Sequence, residues 1–239
     1  RNLTEMGRVA RTSDIARKVL GHDPSAVEKA YFNFLGEISP ALTVVGENDK
    51  YHNAIGIAEY GDEKTIRTRV DKIVSLVKAN KKPLSLDELD AKLDYEHPSH
   101  IEAVANVSKL LSTLNDQWGL TKWPTVNPKN IRDKIYVVLE EHKEPMHFSD
   151  IAKAISSSDF KRKNVTVQAI HNELIKDSRF VLIGRGIYAL DSWGFEKGTV
   201  SDIITKILMK AGSEGLSRKE IVKQVLRERK VKETTVLLN

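Results

Sequence analysis

Residues 160–190 read FKRKNVTVQAIHNELIKDSRFVLIGRGIYAL, and the order of signals within this stretch decides the fold. The cations Lys161, Arg162 and Lys163 precede Asn164, a residue type that caps helix N-termini by accepting a bond from an unpaired backbone amide. Val167, Ile170 and Leu174 then recur at helical spacing, which predicts a helix over 165–176. After Asp177 the period changes. Two apolar runs, 180–183 and 187–190, flank Gly184-Arg185-Gly186, a hairpin signature whose glycines admit positive φ. A helix followed by a hairpin, with cations before the helix and at the hairpin tip, is the order of recognition helix and wing in a winged helix-turn-helix, and that order points to DNA.

Working outward, the chain repeats itself weakly. A helix-start signature, an acid just before an aliphatic residue, stands at VARTSDI (9–15), PLSLDEL (83–89), PMHFSDI (145–151) and GLSRKEI (215–221). The copies lie roughly 60–75 residues apart, a period suited to one small helical module. Upstream of the second copy, Ile66, Val70, Ile73 and Val77 share one helical face. Ile131, Ile135, Val138 and Leu139 do so before the third, and Val200, Ile203, Ile204, Ile207 and Leu208 before the fourth. The first copy lacks room for such a helix.

The expected fold class is mainly α with small β-hairpins, arranged as tandem winged helix-turn-helix modules. The expected divisions are a partial module over 1–65, a helical module with a Trp/Pro connector over 66–128, a complete winged helix over 129–197 and a truncated module over 198–239. In the first, a helix over 25–35 precedes strands at 42–45 and 54–58. In the second, Ile101, Val104, Val107, Leu111 and Leu114 read as one long helix, and Trp118, Trp123, Pro124 and Pro128 as a connector rather than a wing.

Composition limits the function. The 239 residues are 40% apolar and 30% charged, enough for a buried core and unlike a disordered tail. No apolar run approaches the ~20 residues of a membrane span, and no signal peptide precedes the first charged segment. No membrane association is expected, and the location read from the sequence is cytoplasmic. The absence of cysteine excludes disulfides, thiolate metal sites and thiol nucleophiles. A net charge of +5 and a pI near 9.2 are compatible with a polyanionic partner without requiring one. The chain starts at Arg1 and stops just after an apolar run, and reads as a piece of a longer protein.

Residues 165–195, VTVQAIHNELIKDSRFVLIGRGIYALDSWGF, with PMHFSDIAKAI ahead of them, resemble the HARE-HTH domain, a winged helix also seen in the delta subunit of bacterial RNA polymerase, in Asx-like chromatin proteins and in restriction enzymes. The flanking WGLTKWPTVNPKNIRDKIY, WGFEKGTVSDII and VKETTVLLN resemble the C-terminal part of bacterial sigma-factor-like proteins. There a sigma region 4 helix-turn-helix precedes the domain, and no such motif is visible in residues 1–65. The resemblance implies a transcription protein with duplex DNA and RNA polymerase as partners, associated with the nucleoid and needing no cofactor.

The residues expected to meet DNA follow from the helical wheel. Thr166, Gln168, Ala169, Asn172 and Lys176 lie outward; Gln168 and Asn172 carry amides that can bond an adenine edge, and Thr166 can reach a phosphate or a thymine methyl. Lys161, Arg162, Lys163 and Asn164 approach the helix start, where anions are favoured. Arg185 at the hairpin tip is placed to reach the minor groove or backbone. Arg179 fits either a phosphate or Asp177, and His171 reads as half-buried. In the fourth copy Arg229, Lys230 and Lys232 approach the next helix as Lys161–Lys163 approach theirs. Each of these groups also fits an ordinary solvated face. The acidic stretch 87–94 argues that the second copy contacts protein or acts as a spacer.

Enzyme signatures are missing: there is no GxxxxGK[ST], HExxH or GxSxG. His97-Pro98-Ser99-His100 reads as a loop entering a helix rather than a metal site, and Asp62-Glu63-Lys64 as surface charge rather than a nuclease fragment. The expectation is a binding protein with no catalytic site and no metal.

Overall fold

A computed structural model describes residues 1–93, 97–160, 162 and 164–238, and the chain divides into two compact units, Arg1–Asn127 and Pro128–Asn239.

The first unit begins with α1 (Asn2–Glu5), β1 (Val9–Arg11), α2 (Thr12–Leu20), α3 (Ala26–Ile38), β2 (Leu42–Val45) and β3 (Ala54–Ile57). At four residues, α1 is all that fits before the first signature. Ser25 and Glu28 close a reciprocal capping box that starts α3. The strands pair antiparallel in the order β1-β3-β2. Next come α4 (Glu63–Asn80), β4 (Leu84–Ser85), α5 (Leu86–Asp90), α6 (Pro98–Val107), β5 (Leu111–Leu114) and β6 (Gln117–Leu120), with sheet order β4-β6-β5. Spacings of four, three and four residues place Ile66, Val70, Ile73 and Val77 on one stripe of α4, and all four are fully buried. Each such side chain stabilises the fold by about 1.5–3 kcal/mol as an upper estimate. One continuous core joins them to Val9, Val45, Leu89, Ile101, Val104 and Trp118.

Here one sequence expectation fails. Leu111 and Leu114 do not continue α6, which stops at Val107 with Ser108 extended. They form a strand that pairs with β6, Thr113 opposite Trp118 and Leu114 opposite Gln117. Asn115 and Asp116 sit at φ 49° and 57°, the two-residue turn whose twist matches the flanking strands. The second copy therefore carries a hairpin, and Trp118 is a strand residue rather than part of a connector.

The second unit opens with α7 (Ile131–His142), β7 (Met146–His147), α8 (Phe148–Ser157), α9 (Val167–Lys176), β8 (Phe180–Gly184) and β9 (Ile187–Leu190), with sheet order β7-β9-β8. Ile135, Leu139, Ile151, Ile155, Ile170, Leu174 and Leu190 are buried in its core. The helix-start signatures have a double role. β1, β4 and β7 are edge strands that pair with the last strand of their sheet and run directly into α2, α5 and α8. Among the described residues no strand precedes α11. That helix (Arg218–Glu228) packs with α10 (Val200–Ala211) and α12 (Glu233–Leu237) around Ile203, Ile207, Val222, Val225 and Val236. No helix of the described residues is long and apolar enough to cross a membrane.

Candidate nucleic-acid interface

The α8–α9 turn and the β8–β9 hairpin build the surface on which most of the expected contacts lie. Helix α9 starts two residues later than the sequence predicts. Its N-cap is Thr166, whose Oγ1 accepts from the Ala169 N–H at 3.2 Å, not Asn164. The Thr166 hydroxyl therefore has a structural task, and Asn164 is an exposed residue of the approach loop. Val167, expected inside, is exposed, because the later start leaves Ile170 and Leu174 to seat the helix. His171 is half-buried, its ring 4.8 Å from that of Phe148.

The exposed face of α9 carries Gln168, Asn172, Ile175 and Lys176. The Gln168 Nε2 donates to the Asn172 Oδ1 at 3.0 Å. The pair spends one donor and one acceptor, so an acceptor on Gln168 and an amino group on Asn172 remain for a base edge. Ile175 was not among the expected contacts. It is 65% exposed on the same face as Gln168 and Asn172, where an apolar side chain suits a thymine methyl. The signal that could have found it was its place between two amides on the helical wheel.

Among the approach residues, Lys161 and Lys163 lie outside the described residues. Arg162 is exposed, at φ 55°. Its carbonyl oxygen accepts from Lys134 Nζ at 2.7 Å, and Lys134 is itself buried. Burial pulls the Lys134 ammonium below its ordinary pKa. This lysine fixes the loop from beneath. Sequence reasoning passed over it, although it sits beside Ile131 and Ile135 on the inward side of α7.

The hairpin also differs in detail from expectation. Only Gly186, at φ 72°, uses the left-handed region. Arg185 at the tip is exposed. Arg179 is not available to DNA as a free cation. Its guanidinium bonds Asp177 at 2.7 Å and Asp133 at 3.3 Å, and it lies 5.6 Å from the Tyr136 ring centre. The hydrogen bonds from Arg179 hold the Asp177 carboxyl below the usual carboxylate range.

Arg229 requires a larger correction. It is 4% exposed, and its guanidinium donates to the carbonyl oxygens of Leu182 and Gly198. Burial lowers its pKa. A side chain used in this way cannot reach a phosphate; the neighbouring Lys230 and Lys232 are exposed.

The pattern of ion pairs separates the cations of this unit. Lys143, Lys153, Lys197 and Lys206 each meet an acid at 2.7–3.0 Å, and Arg132 pairs with Glu173. Arg162, Lys176, Arg185, Lys230 and Lys232 have no ion-pair partner among the described residues, and neither do Arg218, Lys219, Lys223 and Arg227 of α11. A cation without a fixed acid partner can exchange its counterions for a phosphate at no cost in broken pairs.

The motifs considered for enzyme chemistry have structural partners. Asp62 caps α4 through the Thr65 N–H at 2.8 Å, and Glu63 pairs with Arg67 at 2.7 Å. His97 caps α6, and the buried His100 packs edge-on against Tyr60 at 5.4 Å. No group of three or more potential metal-ligating side chains occurs among the described residues.

Residues 131–193 match the family model HARE-HTH, described as an ASXL and restriction endonuclease HTH domain. HARE-HTH is a DNA-binding helix-turn-helix domain, and the winged helix built by α7–α9 and β7–β9 fits it. No curated protein matches the chain.

Proposed function

We propose that the chain is a non-enzymatic, duplex DNA-binding protein of tandem winged helices. Its main grip is residues 131–193, with α9 in the major groove and the β8–β9 hairpin as the wing. The observation that carries this reading is the chemistry of three helices that precede a hairpin. Helix α3 exposes Val27, Tyr31, Phe34 and Ile38, and α6 buries His100, Ile101, Ala103, Val104, Ala105 and Val107. Of the three, α9 exposes the amides that can bond base edges and a cation for the backbone. In this reading Gln168 and Asn172 read bases, Ile175 meets a thymine methyl, and Arg162, Lys176 and Arg185 hold phosphates.

The test is duplex binding by the full chain as a function of salt. Affinity falls steeply with salt, and Arg185→Ala lowers the slope of log K against log [salt] by about 0.9. Absence of binding at low salt would refute the reading.

The resemblance of the flanking segments to sigma-factor-like proteins extends the proposal to transcription beside RNA polymerase. Polymerase subunits retained by the chain after nuclease treatment would support that extension, and their loss would count against it. A second reading, a protein-interaction scaffold that docks without touching DNA, is favoured by the exposed apolar face of α3. Under it, duplex binding is absent while capture of a protein partner depends on Tyr31 and Phe34.

A further inference from the structure

The segment that leaves α11 lies along the wing. Lys230 N–H donates to the Ile183 carbonyl at 2.9 Å, and Gly184 and Lys230 form a parallel bridge. Two sequence features make this approach specific. Gly184 has no positive φ, so turn geometry does not demand a glycine there; a Cβ at this position would stand 2.5 Å from the Lys230 carbonyl oxygen. Arg229 is the second feature, with its buried guanidinium spread between Leu182 of the wing and Gly198 of the connection to α10. Burying a guanidinium against carbonyls alone is costly compared with an apolar side chain, so packing does not by itself account for an arginine here.

The segment alternates. Arg229 points in, Lys230 out, Val231 packs on the cluster of α10–α12, and Lys232 is out again. With Lys230 paired to Gly184, its backbone lies one residue from Arg185. Three exposed cations, each without an ion-pair partner among the described residues, are thus brought to the wing by contacts distant in sequence.

We infer that the wing and residues 229–232 form one phosphate-binding edge. Arg185, Lys230 and Lys232 are its cations, and Arg229 is a positioning residue that holds the two lysines against the wing. The partner is the sugar–phosphate backbone of duplex DNA, so the inference rests on the DNA-binding reading above.

The experiment is salt-dependent binding of the full chain to a duplex of arbitrary sequence. Lys230→Ala and Lys232→Ala each lower the slope by about 0.9, as Arg185→Ala does, and Lys153→Ala on α8, whose lysine is already paired, leaves it unchanged. Arg229→Met lowers the slope as far as the double lysine variant, although both lysines remain. Adding Lys230→Ala to Arg229→Met has no further effect. Gly184→Ala, which drives the Lys230 backbone off the wing, gives the same loss by a second route and serves if Arg229→Met unfolds α10–α12. Circular dichroism of each variant separates a displaced segment from an unfolded one.

A wild-type chain that binds, with Arg185→Ala impaired and both lysine variants at the wild-type slope, overturns the inference and leaves the DNA reading standing. Lysine variants that lose slope while Arg229→Met and Gly184→Ala do not would overturn the positioning role. A wild-type chain with no salt-dependent binding overturns both readings.

Discussion

Helix α3 turns Val27, Tyr31, Phe34 and Ile38 to solvent, whereas α9 turns out Gln168, Asn172, Ile175 and Lys176. Both follow a short strand and a helix, both are capped by a hydroxyl that accepts from a backbone amide three residues on, and both lead into an antiparallel hairpin. Their inner faces differ as well. Ile170 and Leu174 anchor α9 in the core, while the one buried residue of α3 is Gly36. The backbone architecture therefore does not assign a partner. The outward chemistry does, because an apolar face offers a base edge no hydrogen bond and a pair of amides offers several.

Four measurements would break or sharpen that contrast. The largest effect is on stability. Ile170→Ala on the anchored face of α9 costs about 2–5 kcal/mol, and Val27→Ala on the open face of α3 changes stability by less than about 0.5 kcal/mol; urea titrations of the two variants give the comparison. Base readout comes next. Gln168→Ala and Asn172→Ala each lose about 1–3 kcal/mol against the preferred site and less against arbitrary duplex, and equal losses on both would reassign these amides to the solvated face. Smaller again is the effect of Arg185→Ala, which weakens binding uniformly across sequences and lowers the salt slope by about 0.9. Tyr31→Ser with Phe34→Ser leaves duplex affinity unchanged, and a loss there would remove the distinction between the two helices.

A fifth measurement, with the smallest expected shift in stability, concerns pH. Because Arg179 depresses the folded-state pKa of Asp177, this carboxylate stabilises the fold fully above about pH 4, and the contribution is lost as the pH falls through the folded value. Asp177→Asn is therefore less stable than the wild type at neutral pH, and the gap closes towards pH 3. Thermal unfolding at the two pH values measures it. A gap that stays constant would show that the Arg179 cluster holds the turn by geometry rather than charge.

The wing and its neighbours show where local pattern ceases to be enough. The apolar stripes of α4 and α7, the hydroxyl caps and the third hairpin were legible because each depends on residues within a turn or two of one another. The β5–β6 hairpin was missed because Leu111 and Leu114 continue a helical spacing by coincidence, and short apolar runs fit either period. The deciding signal was Asn115-Asp116, two adjacent residues of the types that tolerate left-handed backbone. Asn164 and Thr166 are both good caps, and only the packing of Ile170 and Leu174 selected the later one.

Arg229 and Arg185 mark the remaining division. Both are arginines in basic surroundings, and from the sequence both read as contacts for DNA. The sequence by itself determined the helices, their capped starts, the basic composition of the second unit and the glycine-flanked arginine at the wing tip, because those properties reside in neighbouring residues. The tertiary structure alone decided that Arg229 is buried, that Gly184 serves a close backbone approach, that Arg179 is committed to two acids and that α3 leaves its apolar stripe uncovered among the described residues. Burial and pairing are set by what arrives from far along the chain: Leu182 and Gly198 at Arg229, Lys230 at Gly184, Asp133 at Arg179. A local window of residues contains none of those encounters.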